Sequence, residues 1–348
     1  MKTILLLSIV ALCSFSAMGQ VVYQELSLTE AIEKSKATDN LVLVMASATW
    51  CGPCKYLEEN VFPSKDVGDY LNSNVIFLKY ELDLADPDDI MKRFSINAYP
   101  TFIFVDGEGK ETGRFVGSSE KEVFLGIVRS FTDPTQTPDA LKAVYDAEKT
   151  FDNAAAYMDA LYNVGKLQEA SVFFNEVFES FDSKFSEKFW KYASRSISSK
   201  DSEVRRFIEK EKKVYDERVG RAKVNESLLS AYKNIALSYI SGRETLSNEA
   251  VDKLVTSMSL LNEKSQVIYF YTLIVNHYAN DEMDKITNLF HIGAFANYAT
   301  EMEQQEIERA FLNVKGMPKE KIKAYFEGKA NWYKIRAESF EKRAESYQ

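Results

Sequence analysis

Two cysteines spaced as C-x-x-C are the residues of this chain whose type and spacing point most directly to chemistry. Cys51 and Cys54 stand in the segment Trp50–Lys55, which reads Trp-Cys-Gly-Pro-Cys-Lys. The spacing fits half of a zinc site, a local disulfide or a redox pair. Zinc would need two further ligands, and besides carboxylates the chain offers only His277 and His291. We therefore expect no metal site, and we expect both histidines to be incidental helix residues.

The elements around the cysteines favour the redox interpretation. Leu41–Ala46 is a continuous apolar run of the length expected for a strand buried on both faces, and a helical pattern starts at Cys51. Unpaired N–H groups and the macrodipole at a helix N-terminus stabilise a thiolate, and such placement lowers a thiol pKa from about 8.5 to about 7 or less. Cys51 is thus the expected nucleophile, and Cys54, one turn further on, is the expected resolving thiol.

Further patterns predict the fold that holds this helix. Ser27 and Glu30 have capping-box spacing before a short helix that reaches residue 38, and Asp86–Asp89 caps a short helix that ends near Phe94. The other predicted elements are strands at 75–82, 101–105 and 111–116 and a helix at about 123–131. The order βαβαββα after the first helix indicates an α/β fold, a mixed sheet with helices on both faces.

The N-terminal segment predicts export. Residues 1–19 combine a charged start, a short apolar run and a small-residue end, which is the pattern of a secretory signal peptide. Cys13 closes the apolar run, so a lipoprotein is the alternative, although Leu12 before it suits lipid attachment poorly. We expect a periplasmic protein, in a compartment where thiols can be oxidised. The formal net charge of −9 argues against nucleic acid as a partner.

A change in composition divides the rest of the chain into two predicted domains. Residues 20–133 form the first, 134–138 a linker, and 139–348 an all-helical domain. Part of the second domain, around Gly165 and Ala170, has the spacing of a tetratricopeptide repeat, but no clear copy follows, so helical-hairpin repeats stay an open alternative. Five phenylalanines at helical spacing are expected to be buried core rather than a peptide groove: Phe174, Phe178, Phe181, Phe185 and Phe189.

Three segments of the first domain together carry a family resemblance: Ala48–Lys55, Tyr99-Pro100-Thr101 and Val116-Gly117. With them, residues 22–131 resemble the thioredoxin superfamily, and the insertion around Pro63 is similar to that of extracytoplasmic bacterial members. The resemblance implies that Pro100 is a cis-proline and that the Tyr99 backbone pairs with an extended substrate segment. It also implies a substrate groove formed by Trp50, Gly52, Pro53, Tyr99, Pro100, Thr101 and Gly117.

One position departs from the family pattern. Six residues before the first cysteine, the family commonly has a buried acid that helps to deprotonate the resolving thiol, and this chain has Met45 there. Lys79 matches the family's lysine, but without a carboxylate partner it is expected to be a structural cation whose stem is buried. Met45 and Lys79 are thus candidate modulators. We expect slow resolution of mixed disulfides and a higher turnover in Met45→Asp.

The resemblance implies an enzyme that exchanges dithiols with protein disulfides through Cys51 and Cys54. The Gly-Pro pair between them resembles the reducing thioredoxins, so reduction is the expected direction, with a disulfide oxidase or isomerase as the alternative. Another alternative is a redox-sensitive scaffold whose helical domain binds a partner protein. The expected partners are protein disulfides and an electron donor, for which a membrane thiol reductase is a candidate. No cofactor is expected beyond the cysteine pair itself.

Overall fold

The computed structural model of the protein describes residues 20–86, 88–261, 266–289 and 300–345. The predicted signal peptide at 1–19, including Cys13, and the predicted helix residue His291 lie outside these ranges. The chain divides into two compact units between Ala170 and Ser171. No helix in the described ranges combines the length and the hydropathy that a bilayer span requires.

The first unit contains a four-stranded sheet. Its elements are α1 (Leu28–Thr38), β1 (Leu41–Ser47), α2 (Gly52–Asn60), α3 (Lys65–Asn74), β2 (Val75–Glu81), α4 (Ile90–Arg93), β3 (Thr101–Val105), β4 (Glu111–Val116), α5 (Lys121–Thr132), α6 (Pro138–Ala147) and α7 (Phe151–Asn163). The strand order is β2-β1-β3-β4. β1 is parallel to β2 and antiparallel to β3, and β3 is antiparallel to β4. The predicted α/β fold with a mixed sheet is confirmed.

Both faces of the sheet are covered, which explains why β1 has a continuous apolar sequence. On one face, Met45 and Phe102 pack with residues of α2, α3 and α5, and this layer includes Cys51 and Cys54. On the other face, Val44 and its neighbours pack with residues of α1 and α4. Two buried apolar layers therefore hold β1 in place, and the loop that carries Cys51 follows the end of this strand.

Local signals end and start the helices where the sequence predicted. Ser27 caps α1 in a complete capping box with Glu30. Pro63 lies between α2 and α3, which are separate helices. The Asp86 carboxylate accepts hydrogen bonds from the N–H groups of Ile90 and Met91 and so caps α4.

The helices α6 and α7 belong to the first unit. Pro138, the end of the predicted linker, is the first residue of α6. α7 packs against α5, and the Asn163 side-chain amide donates a hydrogen bond to Ser130 Oγ at 3.0 Å. The division between the units therefore falls about thirty residues later than the predicted start of the helical domain at residue 139.

The second part of the chain is helical in the described ranges, as predicted. α8 (Leu167–Val177) spans the division, and the helices after it are α9 (Glu187–Ala193), α10 (Glu203–Lys210), α11 (Lys212–Tyr215), α12 (Arg221–Ile240), α13 (Asn248–Leu261), α14 (Gln266–Ala279), α15 (Met283–Leu289), α16 (Glu301–Leu312) and α17 (Lys319–Glu345). His277 lies on α14, where its Nδ1 is 2.8 Å from Glu282 Oε2.

The prediction that the phenylalanines belong to the buried core is confirmed for four of the five, although they do not lie on one helix. Phe174, Phe178, Phe181 and Phe189 are buried, and Phe185 is half-buried. They do not share one helix, because α8 ends at Val177 and α9 starts only at Glu187. The spacing of three and four residues is therefore produced by two helices, the 3₁₀ turn Phe178–Ser180 and a loop. Phe174 packs with Phe181 and Phe189, whereas Phe178 and Phe185 pack against Phe207.

Candidate active site

The two cysteines lie at the start of α2, directly after the loop that leaves β1. Cys51 is the N-cap residue with an extended backbone, and its N–H donates to the Ala48 carbonyl at 3.0 Å. Cys51 and Cys54 form a disulfide, and the Cys54 N–H donates to Cys51 Sγ at 3.2 Å. Both residues are buried. In the reduced protein this N–H and the helix N-terminus would stabilise a negative charge on Cys51 Sγ.

The predicted groove residues surround this helix start. Trp50 is 70% exposed, and its ring lies 5.7 Å from that of Tyr99. The Tyr99–Pro100 peptide bond is cis, and the Pro100 carbonyl accepts a hydrogen bond from Gly117 N–H at 2.9 Å. Gly117 has φ +99°, a conformation that favours glycine. The structure thus brings the loops after β1, before β3 and after β4 together beside the cysteines.

The remaining predicted groove residues differ in exposure. Gly52 and Pro53 are exposed, and a Cβ added to Gly52 would meet nothing within 4 Å. Thr101 is only 1% exposed, and its hydroxyl donates to the Ala98 carbonyl at 2.7 Å. The Thr101 side chain therefore supports the loop before β3 and does not form part of the exposed groove surface.

A contact that the sequence did not reveal holds the cysteine loop. Both Asp83 carboxylate oxygens lie 3.0 Å from Thr49 N, and one also accepts a hydrogen bond from the Thr49 hydroxyl. The hydroxyl contact is the main cause that lowers the pKa of Asp83. Because Thr49 stands two residues before Cys51, the loop after β2 fixes the loop that carries the nucleophile. Nothing in the local sequence connects two positions 34 residues apart.

The two candidate modulators lie side by side in the sheet. Met45 is fully buried, and the parallel register pairs it with Lys79 on β2. Contrary to the expectation of a cation without a carboxylate partner, Lys79 Nζ lies 2.5 Å from Glu58 Oε1 and 3.0 Å from Glu81 Oε1. Burial opposes the charge on Lys79, but the two carboxylates outweigh it and raise the pKa of this ammonium group.

Glu58 is the second residue that sequence reasoning missed. It lies on α2 four residues after Cys54, so the two side chains are neighbours on the helix surface. One of its carboxylate oxygens is fully buried against Lys79. The spacing of four residues between Cys54 and Glu58 in a predicted helix could have indicated that the two side chains are neighbours. The ion pair of Glu58 with Lys79 on β2 was not visible in the sequence.

Comparison with known proteins agrees with this architecture. Residues 28–132 match the family model described as a thioredoxin-like domain. Thioredoxin H-type 1 from Nicotiana tabacum is 33% identical over 108 residues, which are 31% of this chain and 80% of that protein. The chain belongs to the thioredoxin family. Thioredoxin from Pongo abelii is 37% identical over 87 residues, which are 25% of this chain and 76% of that protein.

Two solved structures are also similar to part of the chain. A protein from Bacteroides thetaiotaomicron, provisionally named a disulphide-isomerase, is 32% identical with a TM-score of 0.30, and the match covers 32% of this chain and 93% of that one. A thioredoxin from Nicotiana alata is 29% identical with a TM-score of 0.26, and the match covers 33% and 96% of the two chains. The family match ends at residue 132 and so does not describe the helices that follow.

The thioredoxin homologues and the cysteine pair support protein-disulfide oxidoreductase activity for this thioredoxin-like protein. The fold is that of a disulfide oxidoreductase, and the Cys51–Cys54 disulfide is its oxidised form.

Proposed function

We propose that this thioredoxin-family protein is a periplasmic reductase of protein disulfides, and that the Cys51–Cys54 pair is its only redox group. The observation that carries the proposal is the position of the pair. Cys51 caps the start of α2 directly beside exposed Trp50 and the Tyr99–Pro100 peptide. A scaffold would not require a reactive dithiol at a helix N-terminus next to a surface that can receive a polypeptide.

The mechanism is two consecutive thiol exchanges. In the reduced protein, the Cys51 thiolate attacks one sulfur of a substrate disulfide, forms a mixed disulfide and releases the other sulfur as a thiolate. Cys54 then loses its proton and attacks Cys51 Sγ, which releases the second substrate thiolate and leaves the Cys51–Cys54 disulfide. Two electrons have passed to the substrate. A donor dithiol returns them, and a membrane thiol reductase is the candidate for this role.

The surface next to Cys51 suits an extended polypeptide. The Tyr99 backbone would pair with the substrate segment, as a strand added beside the cysteine. Trp50, Pro53 and Gly117 border the same place, and exposed Trp50 offers a large apolar surface. We therefore assign these residues to the substrate groove. Thr101 is buried and holds the loop before β3 through its hydrogen bond to Ala98.

The reducing direction is supported by the Gly52-Pro53 pair between the cysteines, which resembles reducing thioredoxins. It is tested by equilibrating the purified protein with glutathione buffers and measuring the fraction of Cys51–Cys54 disulfide. A reductase should have a potential near that of thioredoxin, about −270 mV, whereas a strong oxidant lies near −120 mV. A value near the second number would instead support the oxidase alternative.

The exchange mechanism itself is tested by trapping. Cys54→Ser should stall the reaction as a mixed disulfide on Cys51, because the resolving thiol is missing. Incubation with a protein disulfide such as insulin should give a covalent adduct that dithiothreitol releases, and Cys51→Ser should give none. If no adduct forms and the wild type does not reduce insulin, the scaffold alternative is favoured.

The periplasmic location is supported by the signal-peptide pattern of residues 1–19. Cell fractionation of a bacterial host should recover the protein in the periplasm with Gln20 as its first residue. Recovery of the uncleaved chain in the cytoplasm would contradict this part of the proposal, and a lipid attached to Cys13 would support the lipoprotein alternative.

A further inference from the structure

The second unit contains a cavity in whose lining positive charge exceeds negative charge. The cavity has a volume of about 130 Å³ and is lined by residues of α10, α12 and α13 and of the segments before α10 and α13. Its described lining includes one carboxylate, Glu209, and four cations: Lys200, Arg205, Arg206 and Lys253. The whole chain has a formal net charge of −9, so this concentration of positive charge is a local feature.

Glu209 does not neutralise all four cations, because its oxygens are already occupied. Glu209 Oε1 accepts hydrogen bonds from Arg205 Nε at 3.2 Å and from the Tyr232 hydroxyl at 2.8 Å. Glu209 Oε2 lies 3.5 Å from Lys253 Nζ. Arg205 also donates to three backbone carbonyls, those of Ile197, Ser199 and Lys200. Arg205 and Glu209 are thus a structural pair, and the other cations of the cavity need a different acceptor.

Two cationic groups in the lining lack such an acceptor. Lys200 Nζ lies 3.4 Å from the Thr245 carbonyl oxygen and forms no ion pair with a described residue. Arg206 Nη2 donates to the Asp201 carbonyl and lies 3.3 Å from Glu203 Oε1, but Arg206 Nε is buried and has no acceptor among the described residues. A buried donor on a charged group is costly when it is unpaired, so an anion in the cavity would be favoured.

The rest of the lining limits the chemistry of this anion. Ile235, Leu246, Ala250 and Leu254 make part of the wall apolar. A phosphate group would turn some of its oxygens towards these side chains, where no donor meets them. An alkyl carboxylate can place its oxygens at the cations and its alkyl stem against the apolar wall. At about 30 Å³ for each water, the cavity holds roughly four waters, so the ligand must be small.

We propose that this cavity is a binding site for a small alkyl carboxylate, whose oxygens accept hydrogen bonds from Arg206 Nε and Lys200 Nζ. Both bonds are charge-assisted and therefore stronger than those between neutral groups. Arg205 and Glu209 are positioning residues that hold the wall of the cavity. The site does not involve Cys51 or Cys54, so it does not depend on the proposed dithiol exchange.

The test is a titration of the full chain with sodium butyrate at constant ionic strength. The ¹H–¹⁵N NMR signal of the Arg206 Nε–H group, assigned by its loss in Arg206→Met, should shift and reach saturation. Sodium phosphate and neutral 1-butanol are the comparison ligands, since the first lacks the alkyl stem and the second lacks the charge. Both should bind at least about tenfold more weakly than butyrate.

Variants compared by isothermal titration calorimetry show which side chains bind the anion. Arg206→Met and Lys200→Met should each raise the dissociation constant of butyrate about tenfold, because each removes a charged donor. Neither residue belongs to the Arg205–Glu209 pair, so both variants should fold. Lys210→Met is the matched control: it removes an exposed cation of α10 that does not line the cavity, and the affinity should stay within about twofold.

Three outcomes would overturn the proposal. The first is a wild-type response that rises without saturation, and the second is an equal loss of affinity in Arg206→Met and Lys210→Met, which would reflect the overall charge of the unit. The third is tighter binding of phosphate than of butyrate, since the ligand would then belong to another chemical class. Insulin reduction by the same samples reports separately on the proposed function, because the cavity contains no redox group.

Discussion

At Gly113, the addition of one methyl group should displace an aromatic ring of the core. It lies on β4 opposite Phe104 of β3, and the Phe131 ring of α5 occupies the space that a side chain at 113 would need. A Cβ at this position would stand 2.1 Å from Phe131 Cε1. Phe131 is stacked on Phe104 with ring centroids 4.4 Å apart, so Gly113→Ala must displace the ring from that stack.

The size of the effect follows from these contacts. Overpacking a core costs about 1–3 kcal/mol, and loss of a stacked aromatic pair adds about 0.5–1.5 kcal/mol. Reduced entropy of the unfolded chain returns about 0.5 kcal/mol when glycine becomes alanine. We therefore expect Gly113→Ala to lower the free energy of unfolding of the sheet by about 1–4 kcal/mol.

Gly126→Ala is the matched control. It lies inside α5, and its added Cβ would be 3.6 Å from Asn163 Nδ2, an ordinary contact. Alanine is the better helix former, so this variant should gain about 0.5–1 kcal/mol. Hydrogen exchange of the β3 amides in the full chain measures both changes, since these amides open with the core. Equal protection in the two variants, or a stabilising Gly113→Ala, would refute the packing argument.

Two other predictions concern the cysteine loop and the helical unit. Because the pKa of Asp83 in the folded protein lies below its usual 3.8, the Asp83–Thr49 contact should persist above that pH and be lost as the pH falls through the lowered pKa. The NMR signal of the Thr49 amide should report this loss. In Asp83→Asn the pH-dependent change of that signal should be absent. Arg205, whose side chain is 10% exposed, donates to the carbonyls of Ile197 and Lys200. Arg205→Met should lower the free energy of unfolding of its unit by about 2–4 kcal/mol in a hydrogen-exchange experiment, whereas Arg206→Met, which removes a more exposed arginine, should cost much less.

The parts of the fold that the sequence predicted are those with local signals. The apolar run of β1, the capping box at Ser27 and the cap at Asp86 each act within a few residues, and each was confirmed. The position of Cys51 at a helix start followed from the same patterns. The sequence-based expectation therefore covered the nucleophile and its helix.

The parts that could not be predicted depend on contacts between distant segments. Thr49 meets Asp83 and Lys79 meets Glu58 only because β1 and β2 lie next to each other and α2 covers one face of the sheet. The absence of an acid at position 45 was visible in the sequence, but the ion pair between Lys79 and Glu58 was not. The phenylalanine spacing correctly indicated buried core, but it did not reveal that two helices, a 3₁₀ turn and a loop carry these residues.

The packing of α7 on α5 has a practical consequence for anyone who isolates the redox portion of the protein. A fragment that ends at residue 133 would lack the hydrogen bond from Asn163 to Ser130. It would also expose the surface of α5 that α7 covers. Extending the fragment through Ala170 keeps that surface covered. The smallest piece that retains the complete catalytic body should therefore include two helices that carry no redox chemistry, and its expression yield should fall sharply when they are removed.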